Sequence, residues 1–202
     1  VPEGYEVRDI QGRTIMPGLI DTHLHFSGNL TDNDNDWVIE SVAQKQACAV
    51  KQSWDALSHG LTTVCEIGRN GIAIRDLVNM GIMEGPRIYA TGLGFCRVAG
   101  HGDCHQLPQE ISKNGHPWGD QVDGPWELRK AIRRRLREEP DGIKIWATGG
   151  GIWRWDSDRL QLFCTEEIKA IADECALVGI PLYAHSYNNF DAAYDCVRFG
   201  CK

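Results

Sequence analysis

A chain of 202 residues, 42% hydrophobic and 24% charged, is long enough for one sizeable core, and its composition excludes a disordered or fibrous protein. A net charge of −7 at pH 7 gives no electrostatic footing for nucleic acid or an anionic membrane, and no apolar run reaches membrane-span length. The eight cysteines include no Cys-x-x-Cys. Cys48, Cys65, Cys175 and Cys196 sit in apolar periodic segments, so they read as free thiols in a reducing cytoplasm and not as a disulfide scaffold.

Residues 5–10 have strand character and lead into a Gln11-Gly12 turn. Residues 17–26 form an apolar strand that ends in His23-Leu24-His25. Residues 27–35 are polar and turn-rich. Helical spacing of Val38, Ile39, Val42, Ala43, Ala47, Val50, Trp54 and Leu57 predicts a helix over 36–59, stopped by Gly60. A β-branched strand follows at 61–67, then a short helix over 72–80 ended by Gly81, then a strand at 87–91. Residues 93–124 read as one long irregular loop carrying His101, His105 and His116, and loops of that length are usually functional. Pro125 opens a helix to about 139, whose Arg133-Arg134-Arg135-Leu136-Arg137 run reads as a solvated face. A fourth strand at 143–148 runs into Gly149-Gly150-Gly151. Thr165 is placed to cap a helix with Glu166 and Glu167 in its first turn and Gly179 at its end. A fifth strand covers 180–187 and a fifth helix 188–199. Five strands alternating with five helices predict an α/β fold of parallel βαβ units.

Parallel α/β folds bind ligands beyond the carboxyl ends of their strands. Strand alternation puts His23 and His25 on one face, about 7 Å apart along the strand. Imidazole is a common zinc ligand, but a lone His-x-His is weak evidence. The fourth strand adds Lys144 within an apolar run. The fifth adds Tyr183, His185 and Tyr187 on one face. An ammonium cannot ligate a metal, yet burial favours the neutral amine. A neutral amine can add carbon dioxide to form a carbamate whose two oxygens can bridge two metal ions. Three histidines and a buried lysine at one end of a sheet therefore point to a metal centre.

These residues resemble the amidohydrolase superfamily. The likeness rests first on Gly12-Arg13-Thr14-Ile15-Met16-Pro17-Gly18-Leu19-Ile20-Asp21-Thr22-His23-Leu24-His25. It continues through Leu61-Thr62-Thr63-Val64, Glu84-Gly85-Pro86-Arg87, Gly100-His101-Gly102-Asp103 and Asp123-Gly124-Pro125-Trp126-Glu127. Ile143-Lys144-Ile145, Ala147-Thr148-Gly149-Gly150 and Ala184-His185-Ser186-Tyr187 complete it. The nearer likeness is to the branch of imidazolonepropionase-like enzymes and metal-dependent Xaa-Pro, Xaa-Arg and Xaa-Lys dipeptidases.

The resemblance implies a (β/α)₈ TIM barrel with one or two zinc ions, two being favoured, at its mouth. By analogy His23 and His25 hold the first metal, Lys144 bridges as a carbamate, and His185 holds the second. His101 and Tyr187 match positions that face the substrate and polarise the scissile carbonyl, which a metal-bound hydroxide attacks. The implied activity is hydrolysis of an amide C–N bond in a dipeptide or N-acyl amino acid, a small-molecule substrate, by a homo-oligomer of the full-length enzyme.

The chain also departs from the family pattern. A whole barrel has eight strands and about 250 residues, whereas about five βα units are expected here. The family's further histidine from the sixth strand and its aspartate base from the eighth have no counterpart, since Asp191 and Asp195 fall on a predicted helix. The expectation is a partial barrel over 17–202, strands 1–5, preceded by the tail of a flanking β-sandwich at 1–16, and inactive by itself. Alternatives are a cyclic amide or amidine hydrolase or deaminase of the same superfamily, and a non-catalytic barrel remnant. Two lesser possibilities are a zinc knuckle at His101–His105 and a phosphate cradle in the triple glycine. Trp146, Trp153 and Trp155 can either line a pocket or pack the loop.

Overall fold

The computed structural model describes residues 2–29, 31, 39–114 and 118–202. Among the described residues the strands pair in parallel and fall into two sheets, with one isolated antiparallel bridge between Thr148 and Gln161. The first holds β1 (Leu19–Leu24), β2 (Leu61–Glu66) and β3 (Arg87–Ala90) in that order. The second has the order β5-β4-β6-β7, where β4 is Phe95–Cys96, β5 Asp120–Gln121, β6 Ile143–Trp146 and β7 Leu182–His185. The expected long loop over 93–124 is thus wrong in part, because it contains β4, β5 and a short helix, α3 (Gln109–Asn114). Two-residue strands are too short to leave a periodic signal. They are recognisable only by pairing, Phe95 with Ile145 and with Asp120. β3 and β4 do not pair, and Gly92 between them has a positive φ of 68°, so the five expected strands do not make one continuous sheet. A bond from Asp141 N–H to Ala90 O (2.8 Å) crosses the gap.

The expected strand at 5–10 is also absent. Residues 2–18 run exposed and unpaired to any strand, and an extended segment without a neighbour has nowhere to direct its amides. Only the turn at Gln11-Gly12 forms, closed by Arg13 N–H to Ile10 O (3.0 Å).

The helices between strands follow their capping chemistry. In α1 (Val42–Ser58), Ser41 Oγ accepts the Gln44 N–H and Gln44 Oε1 accepts the Ser41 N–H (2.9 Å). That capping box starts the helix at Val42; residues 36–38 of the expected helix lie outside the described residues. Helix α2 (Gly71–Asn79) and helix α4 (Pro125–Arg135, continued by a 3₁₀ turn at Leu136–Glu138) sit where expected. Helix α5 (Thr165–Val178) begins on Cys164, not on Thr165. The Thr165 hydroxyl donates instead to Asp195 Oδ2 (2.6 Å) on α6 (Phe190–Arg198), while Glu167 accepts the Cys164 N–H (2.8 Å). The arginine run is not simply solvated. Arg133 pairs with the buried Glu174 (2.8 Å), and Arg135 pairs with Asp120 (2.6 Å) and lies over the Phe95 ring.

Each sheet has its own core. Phe26, Ala49, Ala56, Val64, Ile74 and Ile88 fill the space between β1–β3 and helices α1 and α2. Phe95, Leu128, Ile132, Ile143, Ile145, Phe163, Ile168 and Ile171 pack β6 and β7 against α4 and α5. All four residues of β6 are buried, as befits a parallel strand covered on both faces. Alternation sends Ile143 and Ile145 to the helices and leaves Lys144 and Trp146 for the opposite face, where both line a cavity. Ile145→Ala should lower unfolding free energy by about 2–5 kcal/mol in urea titration, the usual cost of truncating a fully buried isoleucine. A loss below about 1 kcal/mol would show that this position is not core. No described helix is long and apolar enough to cross a membrane.

Candidate active site

The carboxyl ends of β1, β2 and β7 and the inner face of β6 surround a cavity of about 530 Å³. His23, His25, Lys144, His185, His101 and Tyr187, the six residues singled out from the sequence, all line it. His23 lies in β1 and His25 just beyond its last residue; their ring centroids are 5.1 Å apart, edge to face. Opposite them His185, the last residue of β7, stacks on His101 with centroids 4.6 Å apart and planes within 15°. Tyr187, just past β7, meets the His185 ring edge-on at 5.0 Å. Lys144 is 2% exposed. Burial first, and the Lys144 charge after that, lower the pKa of His23, His25 and His185.

Two acids that sequence reasoning missed hold these groups in place. Glu66, the last residue of β2, is fully buried and accepts the N–H groups of Phe26 (3.1 Å), Gly68 (3.1 Å) and Gly71 (3.0 Å). Asn70 Nδ2 donates to Phe26 O (2.6 Å), so the residue after His25 is gripped through both its amide and its carbonyl. Gly71 is required here, because a Cβ would lie 2.9 Å from the Glu66 Cβ and Cδ. Asp156, in the loop after β6, lies 2.6 Å from His101 Nδ1. A signal for Glu66 existed, an acid closing an apolar β-branched strand. Asp156 had none, since it looks like any loop acid.

The tryptophans divide. Trp146 lines the cavity together with Trp118, which was not foreseen. Trp153 packs the loop by donating to His101 O (2.9 Å), and Trp155 is exposed. His105 bonds Gly100 O (3.0 Å) through Nε2, and burial raises the Cys104 thiol to about 11. Neither is disposed as part of a zinc knuckle, and His116 lies outside the described residues.

Among the described residues no three His, Cys, Asp or Glu side chains converge to hold a metal ion by themselves. The protonation states nevertheless suit one. Burial, with repulsion from His23 and Lys144, takes His25 down to about 4. Burial, with His101 and Lys144, takes His185 down to about 4. Both rings are therefore neutral lone-pair donors near pH 7. Burial lowers Lys144 to about 8, which makes the neutral amine accessible. The donor set fits a metal if the lysine supplies oxygens as a carbamate.

These shifts predict a pH dependence of stability. An unfolded imidazole titrates near 6.5, so between pH 6.5 and about 4 the unfolded chain binds protons that folded His25 and His185 refuse. Stability falls as pH drops through that window, although solvent entering at exposed His25 trims its share. Glu66 acts in the opposite sense. Burial raises it to about 7 from 4.5, so the folded state holds an extra proton between those values. Urea denaturation with chelator present should show a net loss of stability from pH 6.5 to 4. The dependence should reverse in a His25→Gln/His185→Gln double variant. An unchanged pH profile in that variant would refute the assignment.

The chain belongs to the amidohydrolase family, whose model matches residues 14–200. It is 32% identical over 203 residues to ochratoxinase of Aspergillus niger, covering 93% of this chain and 42% of that protein. The chain thus spans less than half the length of the curated relatives it matches. The crystal structure of A. niger ochratoxinase superposes with a TM-score of 0.82 at 29% identity, over 93% of this chain and 46% of the other. A prolidase crystallised with N-methylphosphonate-L-proline gives 0.83 at 27% identity, over 96% and 48%. A Xaa-Pro dipeptidase with bound methionine gives 0.79 at 27%, over 92% and 47%.

Proposed function

We propose that the full-length protein is a zinc-dependent hydrolase of the amide C–N bond of a dipeptide or N-acyl amino acid, and that this chain is part of its barrel. The observation that carries the proposal is the meeting of His23, His25, Lys144, His185, His101 and Tyr187 in one cavity at the strand ends. Kinship with an ochratoxinase, a prolidase and a Xaa-Pro dipeptidase supports amide substrates, and members of the family generally bind metals. His23, His25 and His185 are the imidazole ligands. Neutral Lys144 would add carbon dioxide, forming an N–C bond and releasing one proton, and the carbamate oxygens would join the histidines in holding the metal. Zinc bound there supplies Lewis acidity to the scissile carbonyl and acidifies a water. His101 and Tyr187 face that carbonyl and orient it, while Trp118 and Trp146 give the substrate's side chains an apolar wall. Lys144 favours this over a deaminase of the same superfamily, which needs no bridging ligand. Eight free thiols support a cytoplasmic location. The test is metal analysis of the full-length protein with a screen of dipeptides and N-acyl amino acids. Nearly two metals per chain and turnover are expected. Metal-free protein without turnover would instead indicate a non-catalytic binding role.

A further inference from the structure

We propose that Asp156 is the positioning residue for His101, fixing the imidazole so that Nδ1 is committed to the protein and Nε2 is the nitrogen offered to a ligand. Asp156 is 1% exposed, and its two oxygens meet two backbone N–H groups and the His101 Nδ1 atom. Oδ2 faces His101 Nδ1 (2.6 Å) and the Ile152 amide (3.1 Å), and Oδ1 faces the Gly150 amide (3.1 Å). Each oxygen already accepts a backbone N–H, an arrangement that favours the carboxylate. An amide in its place would turn an NH₂ against one of those donors. A carboxylate that can only accept obliges Nδ1 to carry a proton, whatever the state of Nε2.

The ring has no second place to go. The His101 carbonyl accepts from Trp153 Nε1 (2.9 Å), and its ring stacks on His185 and meets Trp118 and Trp146 edge-on at 5.9 and 6.3 Å. Gly150 closes the remaining side: a Cβ there would lie 2.7 and 2.8 Å from the two ring nitrogens. The triple glycine thus has a use unrelated to phosphate. It lets the backbone wrap both Asp156 and the ring it holds, and Gly151 N–H to Asp156 O (2.6 Å) completes the wrap. Loop 149–156 and His101 form one unit, so the orientation of the ring is set by a residue that does not itself line the cavity.

The kinetic consequence rests on the proposed hydrolysis; the protonation of Nδ1 does not. The experiment uses ¹⁵N-histidine-labelled full-length protein, metal-stripped, with the His101 signals identified by their loss in His101→Gln. A downfield, slowly exchanging proton on Nδ1 is expected in the wild type and should vanish in Asp156→Asn. With metal restored, Asp156→Asn should lower kcat by about 10–100-fold with KM within a few-fold, and Asp156→Glu should recover part of the loss. A wild-type His101 without a proton on Nδ1 would overturn the proposal, even if Asp156→Asn does not fold. So would an Asp156→Asn protein that keeps both that proton and wild-type kcat. A wild type with the proton but no turnover of any amide would count against the hydrolase reading alone.

Discussion

Lys144→Ala in the full-length protein should lose most of its bound metal and at least about 10³-fold in kcat/KM, equivalent to about 4 kcal/mol of transition-state stabilisation. The reason is positional. Lys144 is buried on the inner face of β6 and lines the same cavity as His23, His25, His101 and His185. Without the proposed carbamate the two pairs would have no common ligand. The fold should survive, since Ile143 and Ile145 carry the packing of β6 on the other face. Elemental analysis and kinetics on the folded variant provide the measurement. Full activity with full metal content would eliminate the carbamate role.

Gly150→Ala should cost about 100-fold in kcat/KM, together with about 1–3 kcal/mol of stability. The added methyl falls against the His101 ring, which cannot swing aside because Asp156 holds one edge and His185 covers one face. Either the ring shifts by an ångström or the loop lifts, and each moves Nε2 from its place. Gly151→Ala is the contrast. It meets no neighbour, and its cost is the strain of its positive φ of 77°. Melting curves and steady-state kinetics on both variants separate the effects; equal activities would argue that His101 is not held as described.

What could be read from the sequence was whatever repeats with a period. The alternation of β1 and β7 put His23 beside His25 and His185 beside Tyr187. Helical spacing located α1, α2, α4 and α5 within a few residues. Signals that depend on a distant partner were not legible. β4 and β5 exist only because each finds the other and β6, and residues 5–10 stay unpaired because no strand lies beside them. Thr165 had the chemistry of a cap, but Asp195, thirty residues on, claimed its hydroxyl. Asp156 meets His101 across fifty-five residues, a separation at which local pattern carries no information.

The missing pairing between β3 and β4 divides more than a sheet. Two cores lie on its two sides, joined by the bonds of Arg75 and Ala90 to Glu139 and Asp141. One carries His23, His25 and Glu66; the other carries Lys144, His101 and His185. The cavity is the seam between them. Anything bound across that seam requires both units to be folded at once, so it adds cooperativity as well as stability. With the seam empty, amide exchange can open one unit while the other stays closed. With it filled, the two should open together, and the most telling record of ligand binding would be the convergence of their exchange rates.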